Sequence, residues 1–272
     1  MKKIGLALGG GGAKGLAHIS MLEVFDELGI KPCRIAGTSI GAVIGALYAS
    51  GLSGRYLREH VQQMIISKGE TFREALKKKE ALKLIKLVDP EFGGHGLFKG
   101  EKFMEFLYEA MGVSTFEKLK IPLSVVATDF WKSEQVVFES GKLLPALKAS
   151  MGLPGVFTPV TMDDRVLIDG GGVNPVPHDL LDDCDIVVAV DVLGPPCKKK
   201  QEVPNLFLAM NGMFEIMQNS IVEARLKNDP PDIYIKPNIT CVELLEFYKA
   251  EKVFLQAEPA QKELRKKLEH LL

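Results

Sequence analysis

The sequence predicts a three-layer α/β/α domain built on a mainly parallel central sheet. Two patterns predict it. Short β-rich runs alternate along the chain with stretches of helical period, the alternation a parallel sheet requires. Several of those runs are apolar at successive residues, not at every second one, as strands covered on both faces are.

In chain order, the strand readings fall on 4–8 (IGLAL), 34–37 (RIAG), 123–128 (LSVVAT), 166–169 (VLID), 185–192 (DIVVAVDV) and 232–237 (DIYIKP). Helical periods occupy 13–28, 41–50, 102–111, 144–150, 206–227 and 242–271. The run 131–140 (WKSEQVVFES) reads as a hairpin strand added at one side. Residues 195–204, rich in Pro and Lys, read as a surface loop without apolar period. No internal repeat or low-complexity linker divides the chain, so residues 1–272 read as one domain.

The bulk numbers narrow the function classes. A chain of 272 residues can bury a sizeable core. Its 34 basic and 35 acidic residues nearly cancel, which gives no basic footprint for nucleic acid. Cys33, Cys184, Cys197 and Cys241 have no zinc-ligand spacing. Cys33 and Cys184 stand in apolar surroundings and read as buried thiols, which suits a reducing, cytoplasmic compartment. The opening MKKIGLALGG imitates a signal peptide, but glycine breaks its apolar run early. The apolar stretch 40–52 is too short to span a bilayer. The expectation is a protein that can touch a membrane without crossing it.

The first strand runs into LALGGGGAKGLAH (6–18). Gly10, Gly12 and Gly15 satisfy G-x-G-x-x-G in a strand-to-helix context, so a dinucleotide site is one reading. That reading needs an acidic residue at the end of the second strand. The second strand instead continues into Thr38-Ser39-Ile40-Gly41. A Walker loop fails too, because Gly15 and not Ser or Thr follows Lys14.

Gly37-Thr38-Ser39-Ile40-Gly41 matches G-x-S-x-G between a strand and a small-residue helix, the setting of a nucleophile elbow. Alone the match reads as a helix-start serine; a glycine loop on the neighbouring strand turns it toward a nucleophile at a helix N-terminus. Serine needs a base. His18 lies inside the first helix, His60 and His270 on surface helices, and His95 in FGGHGLF. His178 reads as a helix start. Asp169 ends VLID and precedes Gly170, Gly171 and Gly172. Two readings stay open for it: an aspartate capping its own turn, or a base at the carboxyl edge of the sheet, where ligands of open α/β sheets bind.

These pieces together resemble the patatin-like phospholipase family in its compact bacterial form. The family pattern G-G-G-x-[KR]-G stands here as Gly10-Gly11-Gly12-Ala13-Lys14-Gly15, its G-x-S-x-G as Gly37 to Gly41, and its D-G-[GA] as Asp169-Gly170-Gly171. The block 149–159 (ASMGLPGVFTP) resembles the family segment before the aspartate. The resemblance covers about residues 2–192, leaving 193–272 as C-terminal helices and a late strand. It implies a Ser–Asp dyad of Ser39 as nucleophile and Asp169 as general base. It also implies an oxyanion hole from the amides of Gly10, Gly11 and Gly12, Lys14 as a residue that positions this loop, and no metal or cofactor. The implied activity is lipid acyl ester hydrolysis of the phospholipase A or lysophospholipase type through an acyl-enzyme. The same motifs serve an acyltransferase, or a regulatory or adaptor protein of low activity on this scaffold.

Two further stretches have a bland and a functional reading. Residues 71–90 form a basic amphipathic helix, either packed with a solvated face or acting as a lid or membrane-docking face. The Met- and Phe-rich stripe of 207–217 reads as core packing before it reads as an acyl channel.

Overall fold

The computed structural model describes residues 2–66, 110–194, 203–204 and 206–271. The helix read at 71–90 lies outside the described residues. So do all but the last two residues of the helix read at 102–111 and of the loop read at 195–204.

The strands are β1 (Ile4–Leu8), β2 (Arg34–Thr38), β3 (Leu123–Asp129), β4 (Glu134–Phe138), β5 (Val160–Met162), β6 (Arg165–Asp169), β7 (Ile186–Val190) and β8 (Ile233–Ile235). The helices are α1 (Ala17–Glu27), α2 (Ile40–Ala49), α3 (Gly54–Ile66), α4 (Leu143–Ser150), α5 (Leu206–Asn228) and α6 (Ala250–Leu271). Among the described residues these strands form one sheet with bonded order β5-β6-β3-β2-β1-β7-β8, β4 also pairing with β3. β3, β2, β1, β7 and β8 are parallel, as expected. β4, β5 and β6 are antiparallel to their neighbours.

The two faces of the sheet are unlike. On one, Leu6, Leu8, Ile35, Val125, Val188 and Val190 join α1, α2 and α6 in the main core, which reaches from Ile4 to Leu268. On the other, Ala36, Ala7 and Ala189 lie side by side in register across β2, β1 and β7. That row of small side chains lets the 3-10 turn His178–Leu181 and Val222 of α5 pack close. α5 packs through one face, which carries Val222, Gln218 and Glu215. Met210, Met213 and Met217 therefore point outward and are more than half exposed, which corrects the reading of 207–217 as core. Cys33 and Cys184 are half-buried free thiols with sulfurs 3.0 Å apart, not fully buried ones.

β3 explains how the site is assembled. β2 pairs with residues 123–126 of β3 and stops at Thr38. Residues 125–129 pair with β4 along the opposite edge. Residues 127–129 pair with β6 as well, Ala127 opposite Asp169. β2 and β6 thus lie end to end along one edge of β3, pointing at each other. Asp169 does end its strand, but β6 runs against the parallel strands; it reaches the carboxyl end of β2 because β2 stops short.

The largest differences from the sequence reading are two helix starts and one added strand. Residues 12–16 form a 3-10 turn before α1 begins. α6 begins at Ala250, because Leu244 turns its carbonyl to the N–H of Ala13 (2.8 Å) instead of into a helix. β5 was not foreseen; it is joined to β6 by Asp163 and Asp164, both with positive φ, the backbone of a tight hairpin.

Gly41 sits where a Cβ would run into the carbonyl oxygen of Leu8. Gly41→Ala is expected to lose about 3 kcal/mol or more in urea unfolding, since backbone cannot yield as a side chain can. Gly212→Ala in α5, where a Cβ meets nothing within 4 Å, is expected to gain about 0.5–1 kcal/mol from helix propensity.

Candidate active site

Ser39 is the single residue between β2 and α2. Its φ of 55° and ψ of −125° are unusual for a side-chain-bearing residue and lift the hydroxyl out of the turn. A Cβ at Gly37 would come within 2.5 Å of Ala42 Cα, so the turn folds back on itself too tightly for any larger residue. The Ser39 N–H donates to Ser150 Oγ at the end of α4 (2.8 Å), and Ser150 is fully buried. That bond fixes the strained residue from a third element.

The Ser39 hydroxyl donates to Asp169 Oδ2 at 2.6 Å. Asp169 is 4% exposed. Its other oxygen accepts the Gly171 N–H at 2.7 Å, and its own carbonyl accepts the Thr128 hydroxyl at 2.8 Å. Burial pushes the Asp169 carboxyl up to about 6, while the bonds from Ser39 and Gly171 pull against that rise. A Cβ at Gly170 would strike the Val126 carbonyl, and one at Gly171 would strike the Gln218 amide. The glycines after the aspartate are thus required by close packing on β3 and α5.

The glycine loop leaves β1 beside this pair. The Cβ position of Gly10 faces Ser39 Cβ at 3.4 Å. Gly10 N–H is already committed to Pro175 O (3.0 Å), which removes it from the three amides expected to be open. Among the described residues, the N–H groups of Gly11 and Gly12 donate to nothing. Gly12 has a φ of 56°, and a Cβ there would collide with Leu244 O. Lys14 is buried, its ammonium bonded to Gly194 O (2.8 Å) and Glu215 Oε1 (2.9 Å). His18 lies beneath the loop, fully buried, with Nε2 2.8 Å from Gly9 O. Burial lowers its imidazole to about 4, so the ring is neutral and serves the loop as a donor.

The other motif residues fall where the sequence placed them. Gly15 sits against Ile40 at the start of α2, so that a Cβ there would strike its side chain. His178 places its ring nitrogens on Val176 O and Asp229 O, away from Ser39. Sequence reasoning assigned no part to Ser150, Thr128, Pro175 or Glu215. Ser150 stood inside the block 149–159, so its neighbourhood was visible while its bond was not. Among the described residues, no group of His, Cys, Asp and Glu side chains could hold a metal ion.

Comparison with known proteins decides the family. A family model described as patatin-like phospholipase matches residues 6–182. The chain belongs to that family. An NTE family protein of Mycobacterium bovis is 32% identical to this patatin-like chain over 194 residues, 71% of this chain and 49% of that protein. The neuropathy target esterase of Drosophila melanogaster is 33% identical over 193 residues, 70% of this chain and 13% of that protein. The patatin-like chain thus spans about half the length of the mycobacterial relative. VipD from Legionella pneumophila shares the fold, with a TM-score of 0.52 and 15% identity over 96% of this chain and 67% of its own. No described helix is long and apolar enough to cross a membrane.

A raised carboxyl has a stability consequence of definite sign. The unfolded Asp169 ionises near 3.8 and the folded one near 6. Below both values the group is neutral in either state and costs nothing. As pH rises from 4 to 6 the unfolded state loses its proton first, so the fold is progressively destabilised, by roughly 3 kcal/mol above pH 6. Asp169→Asn removes this titration. Urea unfolding should find the variant more stable than wild type at pH 7.5 and the advantage nearly gone at pH 4.

Proposed function

We propose that this chain is a serine esterase acting on lipid acyl esters, a carboxylic ester hydrolase of the phospholipase A or lysophospholipase type. One observation carries the reading: the hydroxyl of an elbow serine donates to a buried carboxylate at 2.6 Å, with no histidine between them. The family and the esterase names of the relatives support it.

In this mechanism Asp169 takes the Ser39 proton as Oγ forms a bond to the ester carbonyl carbon. A dry carboxylate near 6 is a far better base at neutral pH than an exposed one near 3.8. The carbonyl oxygen becomes an oxyanion, which the unpaired N–H groups of Gly11 and Gly12 receive. Each such donor is worth roughly 10²–10³ in rate. The positive end of α2 lies under the same atoms. The tetrahedral adduct collapses, the alcohol leaves with the proton from Asp169, and an acyl-Ser39 remains. Water then attacks the acyl carbon while Asp169 accepts its proton, and collapse returns the proton to Ser39 and releases the fatty acid.

The test is fluorophosphonate labelling and hydrolysis of a soluble p-nitrophenyl ester. Wild type should label stoichiometrically. Ser39→Ala should not label and should lose about 10⁴-fold or more in turnover. Asp169→Asn should label slowly. In wild type kcat/KM should rise with pH through about 6 and level off above it, because the base acts ionised. Full activity in a folded Asp169→Asn variant would remove the dyad.

A further inference from the structure

The family match ends at residue 182, yet three groups beyond it hold the glycine loop. Leu244 O accepts the Ala13 N–H at 2.8 Å. Gly194 O and Glu215 Oε1 accept the Lys14 ammonium at 2.8 and 2.9 Å. Two of these acceptors are backbone carbonyls; Glu215 of α5 is a side chain.

The Lys14 side chain is 2% exposed and that of Glu215 17%. An ammonium so buried needs counter-charge and acceptors, or it must move to reach water. Lys14 belongs to the five-residue 3-10 turn Gly12–Leu16, whose first residue carries one of the unpaired amides. A turn that short has little slack, and a displaced Lys14 takes Gly11 and Gly12 with it. Gln218 stands three residues after Glu215, hence on the same face of α5. It packs where a Cβ of Gly171 would be, beside the turn that presents Asp169. One helix face thus touches both the turn of the base and the loop of the open amides.

We propose that Glu215 is a positioning residue of the ester site: through Lys14 it fixes the direction in which Gly11 and Gly12 present their N–H groups. The inference rests on the reading of those amides as the oxyanion donors. Glu215 touches no substrate and moves no proton.

The experiment compares Glu215→Ala and Glu215→Gln with wild type in the full chain. It measures kcat and KM on p-nitrophenyl butyrate, thermal unfolding, and amide exchange of residues 10–16, where Gly10 and Ala13 are bonded. Glu215→Ala should lower kcat about 10- to 100-fold, less than deletion of a donor because the donors are displaced, not lost. KM should stay within about threefold and the pH midpoint near 6, since Asp169 is untouched. Exchange in 10–16 should quicken while β1 and α2 keep their protection. Glu215→Gln, which retains an acceptor oxygen, should recover most of the rate. A folded Glu215→Ala variant with wild-type kcat overturns the proposal, as does a loss of thermal stability alone. If wild type hydrolyses no ester, the esterase reading fails by itself. The exchange measurement then decides the clamp: quickened exchange upholds it, and unchanged exchange rejects it.

Discussion

The site depends on a difference in length between two neighbouring strands. β2 ends at Thr38, level with Val126, while β3 continues to Asp129. Three residues of β3 would otherwise show an open edge, with backbone groups that need partners. β6 fills that edge from the opposite direction. The last residue of one strand and the first residue past the other then meet head-on, and these are Asp169 and Ser39. The Ser39–Asp169 contact is a by-product of satisfying backbone hydrogen bonds.

At that junction Asp169 is buried while Ser39 beside it stays half-exposed, and the burial of the carboxyl sets the chemistry. A carboxylate removed from water is costly, and the protein offsets the cost only in part, with Gly171 N–H on one oxygen and the Ser39 hydroxyl on the other. Full compensation would return the group to its solution basicity. The carboxyl is therefore held at a compromise between stability and a raised proton affinity, in line with the general trade between stability and activity at strained or buried sites.

Much of this was legible in the sequence, for reasons that differ by element. β1, β2, β3 and β7 announce themselves because strands covered on both faces are apolar throughout. Gly37, Gly41 and Gly170 are legible because each marks a place where backbone passes too close for a Cβ. The direction of β6 was not legible, since a short apolar run reads the same either way. β5 carries little periodic signal because it is a half-exposed strand of three residues, and its mark in the sequence is the Asp163-Asp164 pair. The helical period extends upstream of α6 itself, because Leu244 keeps the pattern while its carbonyl serves Ala13. The Lys14–Glu215 bond spans 201 residues, and no local pattern reports a contact of that separation.

The pairing of Ala127 with Asp169 also restricts the ways in which the protein can change its length. Along a strand, successive side chains point to opposite faces. Deleting or inserting a single residue in β3 or β6 would turn the carboxylate to the other side of the sheet, away from Ser39, while leaving every motif intact. Loops such as the one after β4 can grow or shrink, and individual side chains can be exchanged, without this penalty. The spacing across β3 thus acts as a ruler for the Ser39–Asp169 contact, which tolerates a change of side chain more readily than a change of length.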